Sequence, residues 1–122
     1  MALLIVDAAN VVGSVPDGWW RDRRRAAERL RDAIQPISSE GLGELSPPVG
    51  VVLVVEGRAK GVESIEGVAV VEAEGSGDDK IVQLVGEQTD TPVVVVTADR
   101  GLRTRVEALG AKVIGPRSLA YA

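Results

Sequence analysis

Four short stretches of this chain are apolar without interruption: Leu3-Leu4-Ile5-Val6, Val51-Val52-Leu53-Val54-Val55, Val68-Ala69-Val70-Val71 and Val93-Val94-Val95-Val96. A strand with one wet face alternates apolar and polar residues. A continuous, β-branched run belongs to a strand covered on both faces. Helix-like segments lie among these runs. Strands alternating with helices predict an α/β fold, with a mostly parallel five-stranded sheet flanked by helices in three layers. The fifth strand is the short Lys112–Ile114 segment.

The helices are read from spacing and end signals. Pro16-Asp17-Gly18 is a turn, and Asp17 is placed to cap a helix over Trp19–Ile34, with Trp20, Ala27, Leu30 and Ile34 on its inner face. Gln35-Pro36 ends that helix, and residues 36–48 read as a surface loop. Ser76, Asp78 or Asp79 caps a second helix running to about Gln88, with Ile81, Leu84 and Val85 inward. Leu102, Val106 and Leu109 mark a third, with Gly110 at its C-terminal end.

Composition narrows the chemistry. The 122 residues fit one domain, 1–122, with an aliphatic core, since Phe is absent and there are two Trp and one Tyr. There is no Cys and no His. That removes disulfides, cysteine nucleophiles, the Ser-His-Asp triad and the usual zinc ligands. Carboxylates, hydroxyls, Lys/Arg and a metal ion remain. Fourteen basic and 18 acidic residues give a net charge of −4, so bulk charge does not favour a nucleic-acid partner. No apolar run is long enough to cross a bilayer, and Met1–Asp7 lacks the basic start of a signal peptide. The expected location is cytoplasmic, with no membrane partner.

Acidic residues collect where strands end. Asp7, Glu56 and Asp99 follow three of the apolar runs, and Asp78 opens the helix after the fourth. A parallel sheet binds ligands at the carboxyl ends of its strands. Like charges gathered there repel unless a cation neutralises them. Mg²⁺ or Mn²⁺ is the expected cofactor, because both accept all-oxygen ligands. Each residue also has an ordinary structural role: Asp7 and Asn10 as a polar turn, Glu56-Gly57 as a strand end, and Asp78-Asp79 and Asp99 as helix starts.

The order strand–Asp7-Ala8-Ala9-Asn10, strand–Glu56-Gly57, Gly75-Ser76-Gly77-Asp78-Asp79-Lys80-Ile81-Val82 and Thr97-Ala98-Asp99-Arg100-Gly101-Leu102 resembles the PIN-like nuclease superfamily. Within it, the similarity is to the NYN branch of ribonucleases that includes the YacP-like proteins. It runs from Leu3 to about Pro116, and Gly110–Pro116 shares it. The resemblance implies a metal-dependent ribonuclease with Asp7, Asp78, Asp99, Glu56 and Asn10 as catalytic residues. Asp7, Glu56, Asp78, Asp79 and Asp99 would hold the metal. Glu56 stands where related nucleases often carry Asp, one methylene shorter. Thr97 would position water or substrate. Metal-activated water needs no histidine base, which suits this chain.

Arg21, Arg23, Arg24, Arg25, Arg29 and Arg31 crowd one helix, interspersed with acids that make ordinary helix pairs. Arg23 differs, because it falls on the inner stripe. It would contact phosphate, with Trp19 or Trp20 stacking on a base. Arg100 and Lys80, with Arg58, Lys60 and Arg103, would form a basic rim around the acidic centre. RNA is the expected partner. Aliphatic helix faces leave room for a homodimer, and no protein partner is specified. The alternatives are a non-catalytic RNA-binding or regulatory module, a toxin component, or a nucleotide phosphohydrolase. The last lacks both a Walker A motif and an Asp-x-Asp-x-Thr signature, and a receiver-type domain would need Asp where Glu56 stands.

Overall fold

The computed structural model describes residues 1–15 and 18–119. The expected turn at Pro16-Asp17 and the cap by Asp17 lie outside the described residues. Strands β1 (Ala2–Asp7), β2 (Val49–Val55), β3 (Ala69–Glu72), β4 (Val93–Val96) and β5 (Lys112–Ile114) form one sheet in the order β3-β2-β1-β4-β5. Every neighbouring pair is parallel, so the sheet is wholly rather than mostly parallel. Around it lie α1 (Ala8–Gly13), α2 (Arg23–Ile34), α3 (Ile37–Glu40), α4 (Gly77–Gly86) and α5 (Arg100–Glu107).

The continuous apolar runs are explained by two cores, one on each face. Successive side chains of a strand point to opposite faces. Leu4, Val6, Leu53, Val55, Val94 and Val96 face one core, where α1 and α2 supply Val11, Ala27, Leu30 and Ile34. Ile5, Val54, Val93 and Val95 face the other, with Ile81 and Val85 of α4 and Leu102 and Val106 of α5. A polar residue at either phase of these strands would be buried without a partner. Leu30 is fully buried at the centre of the first core. Leu30→Ala should therefore destabilise the protein by about 2–5 kcal/mol, read from the midpoint of urea unfolding.

Chain order sets the site. The chain starts at central β1, moves outward through β2 and β3, and returns to β4 on the other side of β1. Connections therefore leave β1 and β4 in opposite directions, which opens a crevice at their carboxyl ends. The register pairs Val6 with Val96, so Asp7 and Thr97 emerge side by side.

Several local expectations are corrected. The polar turn at Asp7 and Asn10 continues as a short helix: Asp7 caps α1, accepting the backbone N–H of Asn10. The helix expected from Trp19 is broken. Trp19–Arg21 form a 3-10 turn, and α2 begins at Arg23, capped by Asp22, whose carboxylate accepts from Arg25 N–H at 3.1 Å. The break turns Trp20 outward, 55% exposed, and packs Trp19 against the core instead. Residues 36–48 are not all loop, because α3 buries Ile37 and Leu42 bridges to Leu45. Ser76, rather than Asp78 or Asp79, caps α4. Gly110 ends the turn after α5 in a left-handed conformation. There its N–H reaches Glu107 O and that of Ala111 reaches Val106 O, a Schellman pair. Among the described residues, no helix is long and apolar enough to cross a membrane.

Candidate active site

Asp7 is the buried centre of the crevice, only 5% exposed. Thr97, 2% exposed, donates its hydroxyl to Asp7 Oδ2 at 2.9 Å and accepts the backbone N–H of Asp99 at 3.1 Å. Asp7 Oδ1 accepts the N–H of Asn10 at 3.4 Å. Asn10 Oδ1 in turn accepts the N–H of Ala98 at 2.7 Å. Two segments some ninety positions apart are thus stitched together by side chains. Thr97 is a buried orienting group, not an open substrate contact, and Asn10 ties α1 to the loop after β4.

Asp99 caps α5, with Oδ1 accepting Leu102 N–H at 3.0 Å. An N-cap uses one carboxylate oxygen, so the structural role and a ligand role do not compete for the same atom. Glu56 follows β2 and reaches across to α4, where its Oε2 accepts the N–H of Gly77. The longer side chain has a geometric reason, since it spans from a strand end to a helix start. A Cβ on residue 77 would lie 3.0 Å from that oxygen, so glycine lets the carboxylate approach without shifting. The first turn of a helix also favours a carboxylate electrostatically.

Asp78 sits on the same first turn of α4. Burial, with repulsion from Asp78 and Glu56 adding to it and the bonds from Thr97 and Asn10 opposing, raises the Asp7 carboxyl from 3.8 to about 6. Burial also raises Asp78, with repulsion from Asp99 and Glu56 adding to it and Arg105 opposing. Asp7, Glu56, Asp78 and Asp99 therefore sense one another across the crevice.

The outer residues divide. Asp79 pairs with Arg105 at 3.0 Å and its side chain is largely exposed. Arg105 had no sequence signal, because the pair joins two helices 26 positions apart. Lys80 lines a shallow hollow with Ser76, Asp79 and Gln83, beside the crevice. Arg100 is exposed on the first turn of α5, and Arg103 pairs with Glu107 at 3.3 Å. Arg23 stands at the start of α2, where its guanidinium lies over the Trp19 ring, 5.4 Å from its centroid. Arg23, Trp19, Glu56 and Gly57 line a cleft of about 300 Å³. The charge on the inner stripe is thus not buried. The stripe opens into this cleft at the start of the helix.

Whether such residues suit a divalent cation is decided by their donor chemistry. Among the described residues, no group of three or more acidic side chains is set to hold a metal ion directly. Mg²⁺ does not require that, because it keeps several of its waters and takes one or two carboxylates. The donor set is all oxygen, and two of its carboxyls are raised by burial and mutual repulsion. A hydrated hard cation relieves both effects. The residues fit such an ion.

No protein-family model matches this sequence, and no curated protein matches it either. Solved structures do match. The crystal structure of Rae1 (YacP) from Bacillus subtilis superposes with a TM-score of 0.78 at 22% identity, covering 98% of this chain and 72% of that one. A tryptophan-to-leucine mutant of the same protein gives 0.75 at 22% identity, covering 98% and 73%. With its five-stranded parallel sheet flanked by helices, this chain has the α/β fold of the Rae1 (YacP) structures.

Proposed function

We propose that the protein is a metal-dependent ribonuclease that hydrolyses RNA phosphodiester bonds at the crevice between β1 and β4. One observation carries this reading. Carboxylates from separate segments, Asp7, Glu56, Asp78 and Asp99, meet at the carboxyl edge of the sheet, where burial and repulsion raise the Asp7 carboxyl to about 6. A buried carboxyl raised further by neighbouring carboxylates is the pattern that a bound cation would relieve. RNA as substrate follows from the resemblance of the motifs to NYN ribonucleases. It agrees with an arginine and a tryptophan on the adjoining cleft.

Asp7, Asp78 and Asp99 would hold a hydrated Mg²⁺ or Mn²⁺, in part through its waters, with Glu56 contributing through its position beside Gly77 N–H. The ion supplies a lowered pKa for bound water and neutralises phosphoryl charge. The chain's own residues do the rest. Thr97 holds Asp7 in one orientation, so the carboxylate cannot rotate away from the crevice. Asn10 fixes the backbone at Ala98 and therefore the approach of Asp99. Arg23, Lys80 and Arg100 offer cationic contacts to the phosphates of the strand, without an acid partner among the described residues such as those of Arg103 and Arg105.

The test is cleavage of mixed single-stranded and structured RNA with Mn²⁺, with Mg²⁺ and with EDTA, alongside Asp99→Asn. Asparagine is as good an N-cap as aspartate, so α5 should persist in the variant. Cleavage should require the metal and fall by about a hundredfold or more in Asp99→Asn. Cleavage that survives EDTA, or is undiminished in the variant, would remove this assignment.

A further inference from the structure

The cleft beside the acidic centre has features that phosphodiester hydrolysis alone does not require. Its walls are mostly apolar and built from small side chains, including Ala8, Ala9 and Ala59. One wall is the indole of Trp19, which the broken helix turns inward. Beside it stands Arg23, which makes no ion pair among the described residues, whereas Arg24, Arg31, Arg103 and Arg105 are all paired with acids. The far end is closed by Glu56, which belongs to the acidic centre. A volume of about 300 Å³ is at the small end of ligand sites.

We infer that this cleft is a subsite for one unpaired nucleobase of an RNA strand, with Trp19 as its stacking surface and Arg23 as the contact to an adjoining phosphate. The inference rests on the reading of RNA as the substrate, and it adds a requirement: the strand is single at the point of cleavage. Three features meet here. A flat aromatic wall binds any base through its π-face. A guanidinium stacked on an indole keeps its edge N–H donors free for phosphate. A base still stacked in a duplex cannot present its face to this wall, whereas an unstacked base of a single strand can. Because Glu56 is shared by the cleft and the acidic centre, a base seated here puts its own backbone beside the carboxylates.

The test uses the tryptophans. The Trp20→Phe protein retains Trp19 as its single tryptophan, and Trp20 lies outside the lining of the cleft. This protein is mixed with a single-stranded RNA hexamer in Mg²⁺ and read in a stopped-flow instrument before turnover accumulates. The hexamer should quench Trp19, and a duplex of the same sequence should bind about tenfold more weakly or worse. Arg23→Ala should weaken hexamer binding by about tenfold, while Arg25→Ala leaves it unchanged. Read from the fluorescence anisotropy of a dye-labelled hexamer, Trp19→Ala should weaken binding similarly and Trp19→Phe should restore most of the affinity, which separates stacking from a folding defect.

Absence of quenching overturns the subsite, as does equal binding of duplex and hexamer. Hexamer affinity indifferent to both Arg23→Ala and Trp19→Ala has the same meaning. If metal-dependent cleavage lost in Asp99→Asn is still seen in those cases, the nuclease assignment survives without the subsite. Quenching and single-strand preference without any cleavage would support the subsite and remove the nuclease assignment. A nucleoside monophosphate that quenches as strongly as the hexamer would assign the cleft to free nucleotides and overturn the RNA proposal.

Discussion

Asp7→Asn should abolish cleavage and, at neutral pH without metal, raise the thermal midpoint of unfolding. The two effects have one cause. Asp7 is 5% exposed and its carboxyl is raised from 3.8 to about 6 by burial, with Asp78 and Glu56 adding to the rise. A carboxyl whose folded pKa exceeds its unfolded pKa stabilises the fold when protonated. That stabilisation is complete below about pH 3.8 and is lost as pH rises through about 6. Near pH 7 the ionised group therefore costs the apo fold about 3 kcal/mol, because each tenfold change in its proton affinity is worth about 1.4 kcal/mol. Asparagine carries no charge, and its one carbonyl oxygen keeps one of the two bonds that Asp7 accepts, a smaller loss than the charge it removes. The variant should unfold several degrees higher at pH 7, and the difference should shrink as pH falls towards 4. Scanning calorimetry across that range checks it, and an Asp7→Asn protein less stable than the parent at pH 7 would contradict it. In the parent, protons and cations compete for the same oxygens, so apparent Mn²⁺ affinity should fall as pH drops below about 6. Cleavage should fall by at least about a hundredfold in the variant, since removing even an indirect metal contact can cost that much.

Thr97→Val should damage both the site and the fold, although Thr97 is almost wholly buried. Its hydroxyl donates to Asp7 Oδ2 at 2.9 Å and accepts from Asp99 N–H at 3.1 Å. Valine has the same shape and leaves both groups without a partner in a buried place. The expected loss of stability is about 1–3 kcal/mol. Ionised Asp7 also loses a bond that favours its charge, so its carboxyl should titrate higher still. Freed from Thr97, Asp7 can rotate, and Mn²⁺ affinity should drop about 10–100-fold with cleavage following it. Thr97→Ser restores the hydroxyl and should recover both. Urea unfolding, Mn²⁺ titration and the cleavage assay on the three proteins separate the effects. A Thr97→Val protein with parental metal affinity would show that Asp7 is held by its strand and cap alone.

The sequence alone carried the strands and the acids. Leu3–Val6, Val51–Val55 and Val93–Val96 are aliphatic at both phases, and a sheet covered on both faces is the arrangement that buries them all. Asp7, Glu56 and Asp99 each follow such a run, so a parallel sheet brings them to one edge whatever else the chain does. Short-range bonding was harder to read. Nothing in Asp7-Ala8-Ala9-Asn10 distinguishes a six-residue helix from a turn, because a helix that short depends on packing for its stability. The helical wheel placed Trp20 inward because it assumed an unbroken helix from Trp19. Asp22, a favoured N-cap, starts the helix at Arg23 instead and hands the inward position to Trp19.

What the tertiary structure decided is which atom meets which across long separations. The sequence determined that this chain makes a doubly covered parallel sheet with carboxylates at its carboxyl edge, since hydrophobic periodicity and strand-end position are local properties. That Thr97 locks Asp7, that Asn10 holds Ala98, that Glu56 docks on Gly77 and that Asp79 turns to Arg105 are all contacts between segments at least 21 positions apart. Such pairs depend on strand order and register. These emerge only when both faces of the sheet are packed at once, because burial of the whole core selects the one alignment that leaves these polar side chains partnered.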